Sequence, residues 1–311
     1  MRQGDVIALC VADLHLSHRV PVARSSESSW YSAQARSLKQ LSDLQKQYNC
    51  PILQSGDVFD KWNVPAETIN FAIKHLPEMY GIYGQHDMPF HSYSEMYKSA
   101  FWTLVEFGKI KLIHPLPVEL PGLCVHGFPW NESPVQLKLN PDRNKSILEV
   151  ALVHKYIWMG KSGYPGAAKE NHVDNLVDSL RGFDVVISGD NHIPFETTTK
   201  HGTLVYNAGG FQRRKSDEYD HRPSVGLLRS DGSIKRHYLD CSEDKFLDKV
   251  KLMEASSICP DLEGFLEELS TLNDSVINFT DAVNAAMEKA KSSDFVRKLI
   301  LQAMDNSGAT K

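Results

Sequence analysis

The chain lacks the features that mark secreted, membrane-bound and thiolate-metal proteins. Its 311 residues include five cysteines (Cys10, Cys50, Cys124, Cys241 and Cys259), odd in number, scattered, and nowhere spaced C-x-x-C. Neither disulfides nor a thiolate zinc site is expected from that usage. Cys10 and Cys124 fall inside apolar runs, where a thiol packs as a small hydrophobe. No apolar run approaches the roughly 18 residues that a membrane helix needs. The opening Met1-Arg2-Gln3-Gly4-Asp5 leads into an apolar run without a signal-peptide pattern. A cytoplasmic protein with no membrane association is the expectation. Positive charge is also short: a formal net charge of −5 gives no global attraction to a polyanion. Contact with nucleic acid would therefore have to come from a local patch. No internal repeat or extended low-complexity tract is present.

What remains is ordinary in bulk, with 41% hydrophobic and 23% charged residues, as in a globular protein. The length suits one large domain, or one domain with an appendage. The unusual feature is a repeated device. Ile52-Leu53-Gln54-Ser55-Gly56-Asp57-Val58-Phe59-Asp60 is an apolar run that stops at Gly-Asp. It reads as a buried strand ending in a tight turn, with glycine tolerated at either sign of φ and the next carboxylate left bare. Ile7 to His15 repeats the pattern in Asp13-Leu14-His15, and Met79 to Asp87 ends in Gly84-Gln85-His86-Asp87. Val150 to His154 ends in imidazole, and Val185 to His192 ends in Gly189-Asp190-Asn191-His192. Strand ends gathered at one sheet edge are where open α/β folds build their sites.

Taken in order, residues 5–13 are predicted as a strand, 30–48 as a helix and the apolar run from Ile52 that stops at Gly56-Asp57 as a second strand, forming a βαβ unit. The helix is read from Tyr31, Ala35, Leu38, Leu41, Leu44 and Tyr48 at helical spacing. A helix over 65–76 opens on proline, and a strand over 79–84 follows. A histidine- and aromatic-rich loop at 88–97 runs into a helix over 94–108. Short strands are expected at 110–113, 118–120 and 123–126, then before His154, and at 184–188, with a short helix near 174–181. Four antiparallel strands, 195–199, 202–207, 224–229 and 234–239, complete the domain, the last two joined by the hairpin signal Asp231-Gly232. Composition changes at Ser242. Leu262, Phe265, Leu266, Leu269 and Leu272, then Phe295, Val296, Leu299, Ile300 and Met304, follow helical spacing. The domains are thus read as 1–241 and a helical C-terminal appendage at 242–311.

Imidazole plus carboxylate is a ligand set for divalent transition metals, and a bridging carboxylate holds two such ions roughly 3.5–4 Å apart. An ion pair of that kind lowers the pKa of a shared water and neutralises charge on phosphate oxygens. The order D-x-H, G-D-x-x-D, G-Q-H-D, isolated His, G-D-N-H points to a metal-dependent phosphoester cleaver. It resembles the calcineurin-like metallophosphoesterase superfamily, whose signature runs D-x-H, G-D, G-N-H-D/E, H, G-H-x-H. The resemblance covers roughly residues 5–240 by motif placement. Within the superfamily the chain looks most like SbcD-type DNA-repair nuclease subunits, in the compact form carried by bacteriophages. Asn207 to Arg214 is similar, with departures, to the family's N-P-G-S stretch.

The resemblance implies an α/β fold, a four-layer α/β/β/α sandwich of two mixed sheets. It places one metal on Asp13, His15, Asp57 and His192, and a second on Asp57, Gln85, His154 and Asp190, with Asp57 bridging. His86 would contact the scissile phosphate or protonate the leaving oxygen, and Asp87 would orient its imidazole. Mn²⁺ is the first choice for both ions, with Mg²⁺ and Zn²⁺ as alternatives. Gln85 replaces the usual Asn and Asp190 the usual His, which favours harder ions at the second site. The implied partners are DNA and an SbcC-type SMC-like ATPase, with a homodimer also allowed.

Blander readings stand beside these. Asp60 suits a supporting place behind the metal ligands or, at least equally, an N-cap or solvent-facing role, and His18, His91 and His114 suit surface positions. His126 mimics the ligand pattern, but His154 follows the more apolar strand and is preferred. Arg213 and Arg214, with Lys215 and Arg222, suit a nucleic-acid backbone or a solvated turn. Trp62, Phe90 and Tyr93 suit base stacking or simple packing. The rival functions are a phosphodiesterase or phosphatase for small nucleotides or phosphoproteins, and a silent scaffold.

Overall fold

The apolar run after Asp5 becomes β1 (Val6–Val11), buried from Ile7 onward. The helix that follows, α1 (Trp30–Tyr48), begins where the Ser29 hydroxyl accepts the Ser32 amide and ends at Asn49, whose φ is 47°. It returns the chain to β2 (Ile52–Ser55), parallel to β1 with Leu9 opposite Ile52, which is the βαβ unit read from the sequence. Next come α2 (Ala66–His75), β3 (Met79–Ile82), α3 (Ala100–Glu106) and β4 (Ile110–Leu112), whose strands extend the same sheet in parallel. A second sheet takes β5 (Val118–Leu120), β6 (Leu123–Phe128), β7 (Leu148–His154), β8 (Val185–Gly189), β9 (Phe195–Thr198) and β10 (Leu204–Asn207). Among the described residues, α4 (Val173–Leu176) lies between β7 and β8. Finally β11 (Ser224–Arg229) and β12 (Ile234–Tyr238) return to the first sheet.

This computed structural model describes residues 4–138, 144, 146–160 and 167–247. The strand orders are β12-β11-β1-β2-β3-β4 and β5-β6-β7-β8-β10-β9. The two sheets face each other. Ala8, Cys10, Leu53 and Ile82 meet Val125, Val150, Leu152, Val185 and Ile187 between them. Leu38, Leu41 and Leu44 of α1 cover the outer face of the first sheet together with Ala72 of α2 and Phe101 of α3. On the far side Val173 and Leu176 of α4, with Leu180 and Phe183, cover Ala151, Val153, Val186 and Val205. The layers therefore run α/β/β/α, as expected. Both faces of the central strands are buried, which is why they read as continuous apolar runs rather than alternating ones.

Three elements differ from the sequence reading. The helix expected over 94–108 is divided: two 3-10 segments, Pro89–His91 and Tyr93–Lys98, precede α3. Ser99 is extended, and its hydroxyl accepts the Trp102 amide, so it starts a helix instead of continuing one. The strand at 202–207 is not wholly antiparallel in its pairing. It lies parallel to β8, with Leu204 opposite Val185, and antiparallel only to β9. The last hairpin is antiparallel as expected and joins the first sheet through β11 against β1. The short helix expected near 174–181 ends at Leu176.

Residues 242–247, read as the start of the appendage, lie against the main unit. The Asp244 carboxylate accepts from Arg213 Nε at 3.0 Å and lies 2.8 Å from the buried Arg24, while the Leu247 amide donates to the Ala23 carbonyl. The helices expected beyond residue 247 lie outside the described residues. Among the described residues no helix is long and apolar enough to cross a membrane.

Candidate metal centre

Five strand ends converge because β1, β2 and β3 run parallel in one sheet, β7 and β8 run parallel in the other, and the sheets pack face to face. The turns after these strands are tied to one another through the backbone. The Asp13 amide donates to the Gly56 carbonyl at 3.1 Å and the His15 amide to the Asp57 carbonyl at 3.1 Å. The His86 amide donates to Asp57 Oδ1 at 3.0 Å, and the Asp190 amide to Asp13 Oδ1 at 3.0 Å. Asp13, His15, Asp57 and Asp190 all have φ between 44° and 73°. Side chains other than glycine hold that conformation at a cost of about 1–3 kcal/mol each, and such strain gathers at functional sites.

The side chains brought together are those singled out in the sequence. Asp13, His15 and His192 present ligand atoms all within 4.8 Å of one another, and Asp13, Asp57 and His154 form a second such group. Asp57 Oδ2 lies between the halves, 3.7 Å from His15 Nε2 and 3.4 Å from His154 Nε2. Gln85 completes the second half. Its Oε1 is 2.6 Å from His154 Nε2, and its Nε2 donates to Asp190 Oδ1 at 2.9 Å. His154 Nδ1 lies 2.6 Å from the Ser55 carbonyl, so Nδ1 carries a proton, and Nε2 faces the cluster. That carbonyl partner had no signal in the sequence.

The donor set fits cations. Asp13 Oδ2, Asp57 Oδ2 and His15 Nδ1 are buried without a hydrogen-bond partner, an arrangement costly unless a charge sits among them. His15 Nε2 and His192 Nε2 lie only 3.0 Å apart. Burial, with Arg214 and the neighbouring imidazoles, drives His15 well below the usual histidine range, which keeps it neutral and able to ligate. The crowding of acidic groups draws protons to His154 and Asp13. Burial opposes a charge on His154, yet Asp57, Asp190 and Asp13 hold it up at about 10. Burial likewise pushes Asp13 up to about 6, against the pull of His192 and His154. A divalent cation displaces such protons. When bound here it would supply Lewis acidity and an activated water to a phosphate ester.

His86 stands at the mouth, its side chain 37% exposed, with Nε2 3.9 Å from Asp57 Oδ2. Asp87 does not orient it, and this corrects the sequence reading. The buried Asp87 carboxylate accepts the amides of Val58, Phe59 and Gly84 at 3.0–3.1 Å, knitting the β2 and β3 turns together. His86 Nδ1 instead lies 2.9 Å from the Asp60 carbonyl. Asp60, for which a place behind the ligands stood beside the N-cap and solvent-facing readings, also approaches His15 Nδ1 at 3.8 Å and is ion-paired with Arg214. The three-residue step from Asp57 was its one signal. Glu218, 3.8 Å from His192 Nδ1, had none. The two arginines diverge. Arg214 sits beside the site, whereas Arg213 donates to Asp244 and to the Tyr219 and Cys241 carbonyls.

His126 is removed from the cluster. It lies in β6 opposite Ala151, three residues short of the His154 level, and β6 continues to Phe128. Its imidazole approaches Glu149 instead, at 2.9 Å.

Glycine is required where the turns approach most closely. A Cβ on Gly84 would lie 2.6 Å from the Asp57 amide nitrogen and closer still to its carboxylate. Gly84→Ala is therefore expected to lose about 1–3 kcal/mol of stability, the usual cost of overpacking, and to weaken metal binding in parallel. Thermal melts with and without Mn²⁺ test this: an unchanged melting temperature and unchanged metal affinity would contradict the packing described.

Residues 8–194 match the family described as calcineurin-like phosphoesterase, more than half of the chain. No curated protein matches it. Among solved structures, an archaeal phosphodiesterase is 13% identical with TM-score 0.40, over 75% of this chain and 99% of its own. The calcineurin-like phosphoesterase YfkN from Bacillus subtilis is 14% identical with TM-score 0.43, over 82% and 96%. A 5′-nucleotidase from Candida albicans SC5314 is 11% identical with TM-score 0.43, over 77% of this chain but 52% of its own. These likenesses are remote, and the assignment rests on the family match together with the converging strand ends. The chain belongs to the calcineurin-like phosphoesterases, metal-dependent hydrolases of phosphate esters.

Proposed function

We propose that the protein is a DNA nuclease of SbcD type, cutting phosphodiesters with two divalent ions and working with an SbcC-type ATPase. Asp13, His15 and His192 would hold one ion, Gln85, His154 and Asp190 the other, and Asp57 both. Mn²⁺ is the proposed metal, because the second set is rich in oxygen donors. His86 would donate a proton to the leaving oxygen, and Arg214 would meet the phosphate.

The observation that carries the choice of DNA is the loop after His86. It presents Phe90, 55% exposed, then Tyr93 and Tyr97, also exposed. Trp62 lies 5.2 Å from Phe90, ring centre to ring centre, and Tyr93 stacks on Tyr83 at 5.7 Å. Phe90 and His91 are both left-handed, with φ of 51° and 53°, a conformation that costs free energy in residues other than glycine. Exposed aromatic rings beside a phosphodiester site suit unpaired bases, each stacked base contributing about 1–3 kcal/mol. Arg214, ion-paired with Asp60, adds a cation beside the site.

Labelled single- and double-stranded DNA, incubated with the protein and Mn²⁺ alongside bis-p-nitrophenyl phosphate, tests this. Cleavage of both the DNA and the small ester is expected, with Phe90→Ala impairing only the DNA. Hydrolysis of the ester without any DNA cut, even with the ATPase present, would replace this reading with a small-nucleotide or phosphoprotein hydrolase.

A further inference from the structure

We propose that Cys124, His126 and Glu149 form a separate zinc site on the outer face of the second sheet. Their ligand atoms lie within 4.8 Å of one another. Cys124 Sγ is 3.5 Å from His126 Nε2, and His126 Nε2 is 2.9 Å from Glu149 Oε2. Sulfur, imidazole nitrogen and carboxylate oxygen together are a zinc donor set, at separations a tetrahedral centre with bonds of roughly 2.0–2.3 Å can span.

Register builds the cluster. Cys124 and His126 are two apart on β6 and so share a face, while Val125 between them points into the inter-sheet core. Cys124 is opposite Glu149 on β7 and opposite Glu119 on β5. Glu119 is exposed and available to complete a fourth position, which water could otherwise fill. The His126 ring lies edge-on to Phe183 at 5.4 Å between centres, and the Glu149 amide donates to the Asp184 carboxylate at 2.8 Å, so imidazole and ligand backbone are both held in place. The imidazole and the Glu149 carboxylate are 18% and 17% exposed, which leaves an ion a path from solvent. An ion here would clamp β6 to β7, the strand that ends in His154. The sequence expectation of no thiolate zinc site rested on C-x-x-C spacing, and parallel pairing supplies the proximity that spacing along the chain does not.

Cobalt substitution tests the site independently of the phosphoesterase centre, whose ligand set contains no thiol. The full chain loaded with Co²⁺ is expected to show a thiolate-to-metal charge-transfer band, and Cys124→Ser should abolish it. The same variant should hold one zinc fewer per chain and hydrolyse bis-p-nitrophenyl phosphate unchanged. His126→Gln, which leaves the thiol in place, should weaken cobalt binding by at least about 10-fold. A wild-type chain without the band, or a band that survives Cys124→Ser, would overturn the proposal.

Discussion

Asp57→Ala is expected to lose both metal ions and to lower ester hydrolysis by at least about 10³-fold, the scale of removing the main electrostatic stabilisation from a transition state. The reason is position. Asp57 Oδ2 is the buried, unpartnered oxygen between His15 and His154, so its loss removes a ligand from both halves of the cluster. A simple packing role predicts something else. Asp57 Oδ1 accepts the His86 amide, and alanine deletes that bond as well. Asp57→Asn separates the two effects, since the amide oxygen can still accept while the charge is gone. If Asp57→Asn kept both ions and full activity, the carboxylate would not be the shared ligand. Burial works against ionisation of Asp57, yet His154 and His86 outweigh it and hold the carboxyl below the usual range. The group is thus ready to ligate near neutrality without a separate deprotonation.

His86→Ala should behave in the opposite way, retaining the metal and losing turnover. Its ring stands at the mouth, fixed by the Asp60 carbonyl on Nδ1, with Nε2 turned toward the space above Asp57. A positioned general acid contributes about 10²–10⁴-fold, and kcat on DNA, the proposed substrate, should fall by that amount. The loss should be much smaller on bis-p-nitrophenyl phosphate, because p-nitrophenolate leaves without needing a proton. Equal losses on both substrates would mean that His86 contacts the phosphate instead. Full activity on DNA would remove it from the chemistry.

The sequence showed the site more clearly than the architecture around it. Asp13, Asp57 and His154 were visible because each ends an apolar strand, and a bare polar group there has little to do except bind. The 30–48 helix was visible for a similar reason, since Leu38, Leu41 and Leu44 mark one face throughout. Pairing partners were harder to see. Nothing local in 204–207 says that it will lie parallel to β8, and the apolar content of 224–229 is equally suited to either sheet. The role for Asp87 came from the resemblance alone, and here it does not carry over, because the tight turn aims its carboxylate at three backbone amides. His126 and His154 share the same local pattern. The more apolar strand before His154 favoured it in the sequence, and the length of β6 and its register against β7 separate the two in the fold.

The central claim is that distant strand ends enclose two ions around one carboxylate. Anomalous scattering from crystals grown with Mn²⁺ measures that directly. Two peaks roughly 3.5–4 Å apart are expected, both against the Asp57 carboxylate, with His15 and His192 on one side and His154 and Gln85 on the other. A single peak, or two peaks that do not share Asp57, would contradict the account.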